Sequence, residues 1–462
     1  MMSAECRMQS AECRAGSERQ RNALNSRKAG FAFHSALCIL YSAFCILALS
    51  GCVHPRRSAA PPPAAPPAVE EAPPPVQPPI PTAPPSPPPI QPAPPPAQPA
   101  LPAIIVPPKF ERAPMVRLWL SDASATPEIS CAGPCRVVVF PDEQAKRHFR
   151  IAPAKAAVVP GGIRLGDVLY KCSSLEIEAE PGAQVRIGGR EYPGTIRLLR
   201  SADRVTVIVV VDAERYLLSV VGGEMPADWP AEALKAQAVA ARTLAIFYHL
   251  QRAALEYDLT STVEDQVFGA GKPKPSIVEA VGATRGEVLL HDGALFPAFY
   301  HSTCGGETES PGKALGKPEY DFLVGVPCGF CTDSSHYEWK ATLSAVDLES
   351  KLKAAGIAVG AITAVTAEEG DPRTGRMVKL DWPGGSALVP IVDFRRAVGR
   401  MEIESGKFQC RADGGDFRFT GRGFGHGAGM CQYGCRGMAR VGRLYREILM
   451  HYYRNCAIGK LY

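Results

Sequence analysis

The stretch of sequence that decides the fold is residues 216–243, YLLSVVGGEMPADWPAEALKAQAVAART. An apolar run ends at Glu224, Met-Pro and Trp-Pro pairs follow, and a long alanine-rich segment comes next. The composition of residues 231–252 predicts a strong helix, with Asp228 as its N-cap and Pro230 in its first turn. The stretch therefore predicts an acidic side chain next to a closely packed helix.

The chain before this stretch alternates between short apolar runs and turns. Its apolar runs at 116–120, 137–140 and 205–211 are separated by Gly, Pro and Asp residues, a pattern typical of β-strands. We therefore predict an α+β fold. A β-rich part spans residues 109–210, and a second region, with the alanine-rich helix and a glycine-rich block, spans residues 211–462.

The composition indicates which part of the chain can fold and which class of partner is disfavoured. Of the 44 prolines, 25 lie between Pro55 and Pro108, and a segment so poor in apolar bulk cannot build a core. The formal net charge is only +5, and no Lys/Arg run stands out. These features argue against a nucleic-acid binder and are compatible with an anionic polymer as partner.

The N-terminus resembles an export signal. The apolar stretch 31–49 follows Arg-Lys and ends in Leu-Ser-Gly before Cys52, which resembles the lipobox of bacterial lipoproteins. We predict that residues 1–51 are a leader and signal peptide, that Cys52 is lipidated, and that residues 52–108 are a linker from the membrane. The protein is then an exported, membrane-anchored lipoprotein of the bacterial cell envelope. The alternative is an uncleaved transmembrane anchor at 31–49.

Four sequence blocks occur in the order of a known family. They are residues 216–243, DQVFG at 265–269, YHSTCGG at 300–306 and GRGFGHGAGMCQYG at 421–434. Together they resemble the SpoIID/LytB family, which comprises the sporulation stage II protein D and the amidase-enhancer proteins. Any one block alone would be weak evidence.

The resemblance implies a peptidoglycan lytic transglycosylase. Such an enzyme cleaves the MurNAc-GlcNAc β-1,4 bond of glycan strands and forms anhydro-MurNAc. The reaction requires a carboxylic acid with a raised pKa, and Glu224 lies between apolar neighbours that would raise it. Because the same residue then serves as the base, a second catalytic carboxylate is not obligatory. The alternative is that Glu224 is a surface glutamate favoured by a helix N-terminus.

The resemblance also suggests residues that bind substrate. These are Arg242, His301, Ser302, His426, Gln432 and Tyr433. For Arg242 the alternative is a side chain that reaches solvent from a core helix, and for His301 it is a structural role at a strand end.

The glycine-rich block has a period of two. Glycines at every second position from Gly421 to Gly429 predict an extended strand with one bare face, which sugar or another strand can approach. A phosphate-binding loop is the competing interpretation, but no Gly-Lys-Ser/Thr ending follows.

A cysteine cluster predicts a structural zinc ion. The four expected ligands are Cys304, Cys328, Cys331 and Cys431, with His301 as an alternative fourth ligand. Two disulfides are the oxidised alternative for an exported protein. Catalysis itself requires no cofactor.

Two further functions remain open from the sequence. One alternative is a non-catalytic glycan-binding enhancer of an N-acetylmuramoyl-L-alanine amidase, and the other is a structural wall-binding module. The expected partners are peptidoglycan glycan strands, the membrane through the lipid anchor and a cell-wall amidase, with no nucleic acid.

Overall fold

The computed structural model describes residues 104–121, 123–262, 265–268, 272–371 and 374–462. The leader, Cys52 and most of the proline-rich linker lie outside the described residues. Within the described ranges, no helix combines the length and the apolar character needed to cross a membrane.

The β-rich N-terminal part is confirmed. Its strands are β1 (Met115–Trp119), β2 (Glu128–Cys131), β3 (Cys135–Phe140), β4 (Gln144–His148), β5 (Ile151–Val159), β6 (Gly162–Leu165), β7 (Val168–Tyr170), β8 (Ser174–Ala179), β9 (Val185–Ile187), β10 (Arg190–Tyr192), β11 (Thr195–Ser201) and β12 (Arg204–Asp212). Alternate residues of β12, such as Val205, Val207 and Val209, are buried, as expected of a sheet with one face on a core.

The remaining elements mix helices and short strands, so the α+β prediction is confirmed. They are α1 (Ala213–Glu224), α2 (Ala231–Gln251), β13 (Leu259–Thr260), α3 (Pro275–Ala283), β14 (Glu287–Leu290), β15 (Tyr300–His301), α4 (Pro311–Leu315), β16 (Glu338–Ser344), α5 (Ala345–Ala354), β17 (Ala364–Ala367), β18 (Met377–Trp382), β19 (Gly385–Pro390), α6 (Ile391–Val398), β20 (Phe408–Asp413), β21 (Asp416–Arg422), β22 (Met430–Cys431), α7 (Gln432–Arg440), α8 (Tyr445–Tyr452) and β23 (Ala457–Lys460).

The strands form two larger sheets and several small ones. A seven-stranded sheet has the order β13-β1-β12-β11-β8-β3-β4, and a six-stranded sheet has the order β10-β9-β2-β5-β6-β7. The three-stranded sheets β16-β21-β20 and β17-β18-β19 belong to a later part of the chain.

The two helices of the deciding stretch differ in part from the prediction. The apolar run before Glu224 is the helix α1, whose N-cap Asp212 accepts a hydrogen bond from the Arg215 N–H. The prediction that Asp228 is the N-cap of α2 is wrong, because Pro230 occupies the N-cap position and makes no side-chain hydrogen bond there. Residues 233–247 of α2 are largely buried, which explains the alanines: small side chains let the surrounding elements approach.

The described chain contains two main hydrophobic cores. One is shared by the β-rich part, α1, α2 and the C-terminal helices, so residue 210 is not a boundary between cores. The second runs from Trp339 to Phe419 and includes Phe394 and Leu380. Sequence analysis did not predict this second core, which lies in the chain between the third and fourth sequence blocks.

A parallel pair of short strands joins those two blocks. In β15 and β22, Tyr300 lies opposite Met430 and His301 opposite Cys431. Residues more than a hundred positions apart thereby become neighbours.

The prediction that the glycine block is a period-two strand is wrong. Strand β21 ends at Arg422. The glycines at 423, 425, 427 and 429 have φ values of +81°, +109°, +90° and +70°, a backbone conformation that residues with a side chain rarely adopt. The block also packs closely: a Cβ added to Gly429 would lie 1.9 Å from the Phe299 carbonyl oxygen. Glycine is therefore required here by backbone conformation and close approach, in a loop that we call the glycine loop (residues 423–429).

Candidate functional site

The candidate site is built around the carboxyl group of Glu224. This residue ends α1 and is half-buried. Its Oε1 accepts a hydrogen bond from the Val267 N–H at 2.8 Å, and its Oε2 accepts one from Gln432 Nε2 at 3.0 Å. Three of the four sequence blocks thus meet at one carboxyl group.

The surroundings raise the pKa of Glu224. Burial is the largest cause, and the hydrogen bonds from Val267 and Gln432, together with the nearby Tyr300 hydroxyl, oppose it only in part. Its place at the carboxyl end of α1 also disfavours a negative charge. The alternative interpretation, a surface glutamate favoured by a helix N-terminus, is therefore wrong. A carboxyl group with a raised pKa is suited to donate a proton near neutral pH.

A buried polar group next to Glu224 was not identified from the sequence. The Tyr300 hydroxyl is buried and has no hydrogen-bond partner of ordinary geometry among the described residues, yet it lies close enough to Glu224 to act on its pKa. Nearby, the Tyr216 hydroxyl donates to Gln266 Oε1 at 2.7 Å. Unpaired buried hydroxyls are costly and therefore uncommon. The sequence signal was available, because Tyr300 opens the third block.

Gln432 and Tyr433 begin helix α7 at the edge of the site. The Tyr433 N–H donates to the Ser302 carbonyl oxygen at 3.0 Å. The Tyr433 ring meets Trp229 edge to face, with 5.1 Å between the ring centroids. The structure thus brings Gln432 to Glu224, with Tyr433 next to it in the chain and Ser302 joined to Tyr433. Trp229 was not predicted as a site residue.

The prediction that Arg242 contacts substrate is wrong. Its side chain is fully buried, and its Nε and Nη2 donate to the two carboxylate oxygens of Glu214, each at 2.9 Å. Its other bonds go to carbonyl oxygens, including that of Glu287. The alternative, a side chain reaching solvent, is wrong as well. Arg242 instead forms a buried ion pair that joins α1 to α2.

His301, in β15, and His426, in the glycine loop, lie beside each other. Their ring centroids are 5.5 Å apart. His301 Nδ1 is 3.0 Å from the Ala428 carbonyl oxygen, and His426 Nδ1 accepts from the Ala428 N–H. Burial lowers the pKa of His301 to about 3 and that of His426 to about 4. Both rings are therefore neutral at physiological pH.

The four predicted cysteines form one cluster. Cys304, Cys328, Cys331 and Cys431 are buried, and their sulfur atoms all lie within 4.8 Å of one another. His301 is not part of this group, so the alternative fourth ligand is not needed.

The donor set of this cluster fits a tetrahedral metal ion. Zn–S bonds of about 2.3 Å imply sulfur atoms roughly 3.8 Å apart. The Cys304 and Cys331 sulfur atoms are 3.5 Å apart, whereas a disulfide needs about 2.05 Å. Cys431 Sγ also accepts N–H bonds from Cys304 and Gly434, as thiolate ligands commonly do. Hydrogen bonds from Cys304 and the other thiols lower the pKa of Cys331.

Fold and site together define an α+β protein with one half-buried carboxyl group held by a backbone N–H and a glutamine amide. The family model described as Stage II sporulation protein matches residues 201–291. An uncharacterized protein of Brachyspira hyodysenteriae is 30% identical over 353 residues, which cover 76% of this chain and 94% of that protein. The chain belongs to the SpoIID/LytB family.

Two named relatives come from Bacillus subtilis. Its stage II sporulation protein D is 29% identical over 289 residues, covering 58% of this chain and 80% of that protein. Its amidase enhancer is 25% identical over 347 residues, covering 63% of this chain and 48% of that protein.

Proposed function

We propose that this protein acts at the bacterial cell wall as a peptidoglycan lytic transglycosylase, with Glu224 as general acid and base. The observation that carries the proposal is the environment of Glu224: a half-buried carboxyl group with a raised pKa, fixed by donors on Val267 and Gln432. Family membership supports the cell-wall role.

The proposed reaction uses this one carboxyl group twice. Protonated Glu224 first gives its proton to the glycosidic oxygen, and the C1–O bond breaks to release the GlcNAc hydroxyl. The carboxylate left behind then takes the proton of the muramic acid 6-hydroxyl, whose oxygen bonds to C1 and closes the anhydro ring. The hydrogen bonds from Val267 and Gln432 would stabilise the carboxylate between the two steps.

Residues around the carboxyl group would bind the sugar. Tyr433 and Trp229 offer aromatic surface at the edge of the site, and aromatic rings can pack against the apolar faces of a sugar. The Ser302 carbonyl oxygen accepts the Tyr433 N–H, so Ser302 lies beside the start of α7. We assign no substrate contact to Arg242, because its side chain is fully buried.

The second candidate is a non-catalytic enhancer of a cell-wall amidase. The observation in its favour is the similarity to the Bacillus subtilis protein named amidase enhancer. In that case Glu224 would bind glycan without proton transfer.

Two further parts of the proposal concern metal and membrane. The cluster of four cysteines would hold one structural zinc ion and link the strand β15 to the start of α7. Cys52, which lies outside the described residues, would carry the lipid that anchors an exported protein to the membrane.

The test of the catalytic role is Glu224→Gln with Glu279→Gln as the matched control, since Glu279 is exposed on α3. Purified proteins are incubated with peptidoglycan, and anhydro-muropeptides are counted by mass spectrometry. We expect Glu224→Gln to lose about 10²-fold or more of the release, the usual size of an acid–base contribution, and the control to keep it.

The same two variants distinguish the enhancer. Equal release by wild type and Glu224→Gln would contradict the transglycosylase, and stimulation of an added amidase by both would then favour the enhancer.

A further inference from the structure

A cluster of buried polar side chains adjoins the Glu224 carboxyl group. Its members are Tyr216 on α1, Gln266 in the segment 265–268 and Tyr300 in β15, and all three are buried. The Tyr216 hydroxyl donates to Gln266 Oε1 at 2.7 Å. The Tyr300 hydroxyl has no partner of ordinary geometry among the described residues. A buried hydroxyl without a partner is costly, so its position next to a carboxyl group calls for a role.

The strand register places Tyr300 beside the segments that hold Glu224. Tyr300 lies opposite Met430 in the parallel pair of β15 and β22, and two residues after Met430, Gln432 donates to Glu224 Oε2 at 3.0 Å. Burial raises the pKa of Tyr300, and Gln266 lies close enough to the Tyr300 hydroxyl to oppose this rise. The residue after Gln266 supplies the backbone N–H that bonds to Glu224 Oε1. Tyr300 therefore adjoins both segments that bind the carboxyl group.

The hydrogen-bonding capacity of Gln266 limits where the Tyr300 proton can go. Gln266 Oε1 already accepts from Tyr216, and Nε2 donates to the Ala241 carbonyl oxygen at 3.0 Å. The second N–H of Nε2 can donate to the Tyr300 oxygen, but an amide nitrogen cannot accept a hydrogen bond. The Glu224 carboxylate retains free lone pairs, and an ionised oxygen is a stronger acceptor than an amide oxygen that already has a partner. It is therefore the best acceptor for the Tyr300 proton in this cluster.

Charged groups around the cluster have partners of their own. The ion pairs on the surrounding elements are Arg117 with Asp258, Arg242 with Glu214, Arg252 with Asp265, and Arg436 with Asp333. Burial raises the pKa of both Tyr216 and Tyr300 well above the usual value of 10. Both hydroxyls therefore keep their protons over the pH range in which Glu224 ionises.

We propose that Tyr300 is a positioning residue whose hydroxyl donates a hydrogen bond to the Glu224 carboxylate left behind by proton transfer. The proposal rests on the proposed function. An ionised carboxyl group in a half-buried position is costly without further donors, and this third donor stabilises only the ionised form. The proton of Glu224 passes to the glycosidic oxygen and is replaced from the 6-hydroxyl, while Tyr300 keeps its own proton throughout. Tyr300 would thus hold the carboxylate ready for the second step.

The test is Tyr300→Phe in the full-length protein, which keeps the ring and removes only the hydroxyl. A water-soluble carbodiimide labels the protonated carboxyl group, so the pH dependence of Glu224 labelling, read by peptide mass spectrometry, reports the pKa of Glu224 without any lytic activity. A hydrogen bond to a charged group changes an equilibrium constant by about tenfold or more. We therefore expect the labelling midpoint to rise by about one pH unit. An unchanged midpoint overturns the proposal.

The matched control is Tyr453→Phe. Tyr453 is also buried, and its hydroxyl donates to the carbonyl oxygen of Phe299, the residue before Tyr300, at 2.8 Å. The control removes a buried tyrosine hydroxyl next to β15 and none from Glu224, so the labelling midpoint should stay at the wild-type value. An equal rise in both variants would be an effect of repacking β15 and would overturn the proposal.

Stability at two pH values separates positioning from packing. The folded-state pKa of Glu224 is raised and should be higher still in Tyr300→Phe, so the variant should lose stability relative to wild type as the pH rises through this range. Below it the carboxyl group is protonated in both proteins, and the difference in free energy of unfolding should be smaller. Urea denaturation measures both differences. A difference that is the same at the two pH values marks a packing role and overturns the proposal.

Labelling and lysis are read separately. If Glu224→Gln retains lytic activity while Tyr300→Phe raises the labelling midpoint, the proposed function fails and the hydrogen bond from Tyr300 stands. If lysis needs Glu224 but Tyr300→Phe leaves the midpoint unchanged, only the proposal for Tyr300 fails.

Discussion

At the scale of single residues, Glu224 and Glu214 show how one helix gives two carboxyl groups opposite properties. Both belong to α1. Although burial raises the pKa of Glu214, its bonds from Arg242, Tyr462 and the Gly286 N–H leave the pKa below the usual value of 4.5. Among the described residues Glu224 has amide donors but no cationic partner, and its pKa is raised. The position of one arginine therefore decides which glutamate is structural and which is suited to proton transfer.

We predict that Arg242→Met destabilises the protein strongly. The substitution leaves the buried Glu214 carboxylate without its cation, and breaking a buried ion pair costs about 3–5 kcal/mol. Urea denaturation measures the loss in free energy of unfolding. A loss below about 1 kcal/mol would contradict the structural role.

The pH dependence of stability provides a control for this prediction. Because the folded-state pKa of Glu214 is lowered, its stabilising contribution is present above pH 4.5 and is lost as the pH falls through the folded-state pKa. In Arg242→Met, the loss of unfolding free energy at acidic pH that comes from Glu214 should be smaller, since the pKa of Glu214 is no longer lowered by Arg242.

At the scale of elements, the site depends on β15, β22 and the turn that carries Cys328 and Cys331. Three chain segments meet at the four sulfur atoms. The next residue after Cys431 is Gln432, which bonds to Glu224. A metal ion at the cysteines would therefore hold the segment that positions the carboxyl group.

We predict about one zinc ion per chain and a lower melting temperature after chelation. Removing the ion leaves four buried thiols without their shared partner, and metal-binding free energy is part of folding free energy in such sites. Elemental analysis and thermal melts without reductant are the measurements. Finding no metal, with Cys328 and Cys331 bridged to other cysteines in non-reducing mass spectrometry, would decide for disulfides.

The sequence motifs predicted the side-chain contacts of this site better than they predicted its backbone conformation. The blocks named both Glu224 and Gln432, whose side chains are in contact, and both Ser302 and Tyr433, which are joined by a backbone hydrogen bond. The prediction of a strand from the glycine spacing was wrong. A glycine at every second position occurs in strands, but it also occurs in loops in which every second residue has a positive φ, as at Gly425. The Val267 N–H was also missed, since a backbone donor leaves no side-chain signature in a sequence.

At the scale of the whole molecule, the second core could not be read from the sequence. Its apolar residues, such as Trp339, Phe394 and Phe419, are spread over short strands and two helices whose patterns resemble those of the first core. Composition alone does not tell which strands pair. The α+β class and the β-rich start followed from local patterns, which depend on neighbouring residues only.

We predict that Cys52→Ala moves the protein from the membrane fraction to the soluble fraction. Within the described ranges, no helix could serve as a membrane span, and a lipid on Cys52 would supply the apolar anchor. Fractionation and immunoblotting measure the distribution. Retention of the variant in membranes would instead favour an uncleaved helix at 31–49.

The hydrogen bond between Glu224 and Gln432 spans 208 positions of the chain. This bond can form only when the chain between the two residues has closed into a loop, which costs conformational entropy. A folded second core also shortens the loop that must close between the two halves of the site. The carboxyl group therefore acquires its glutamine partner only after this long loop has closed, and a chain that stops before Gln432 cannot assemble the site.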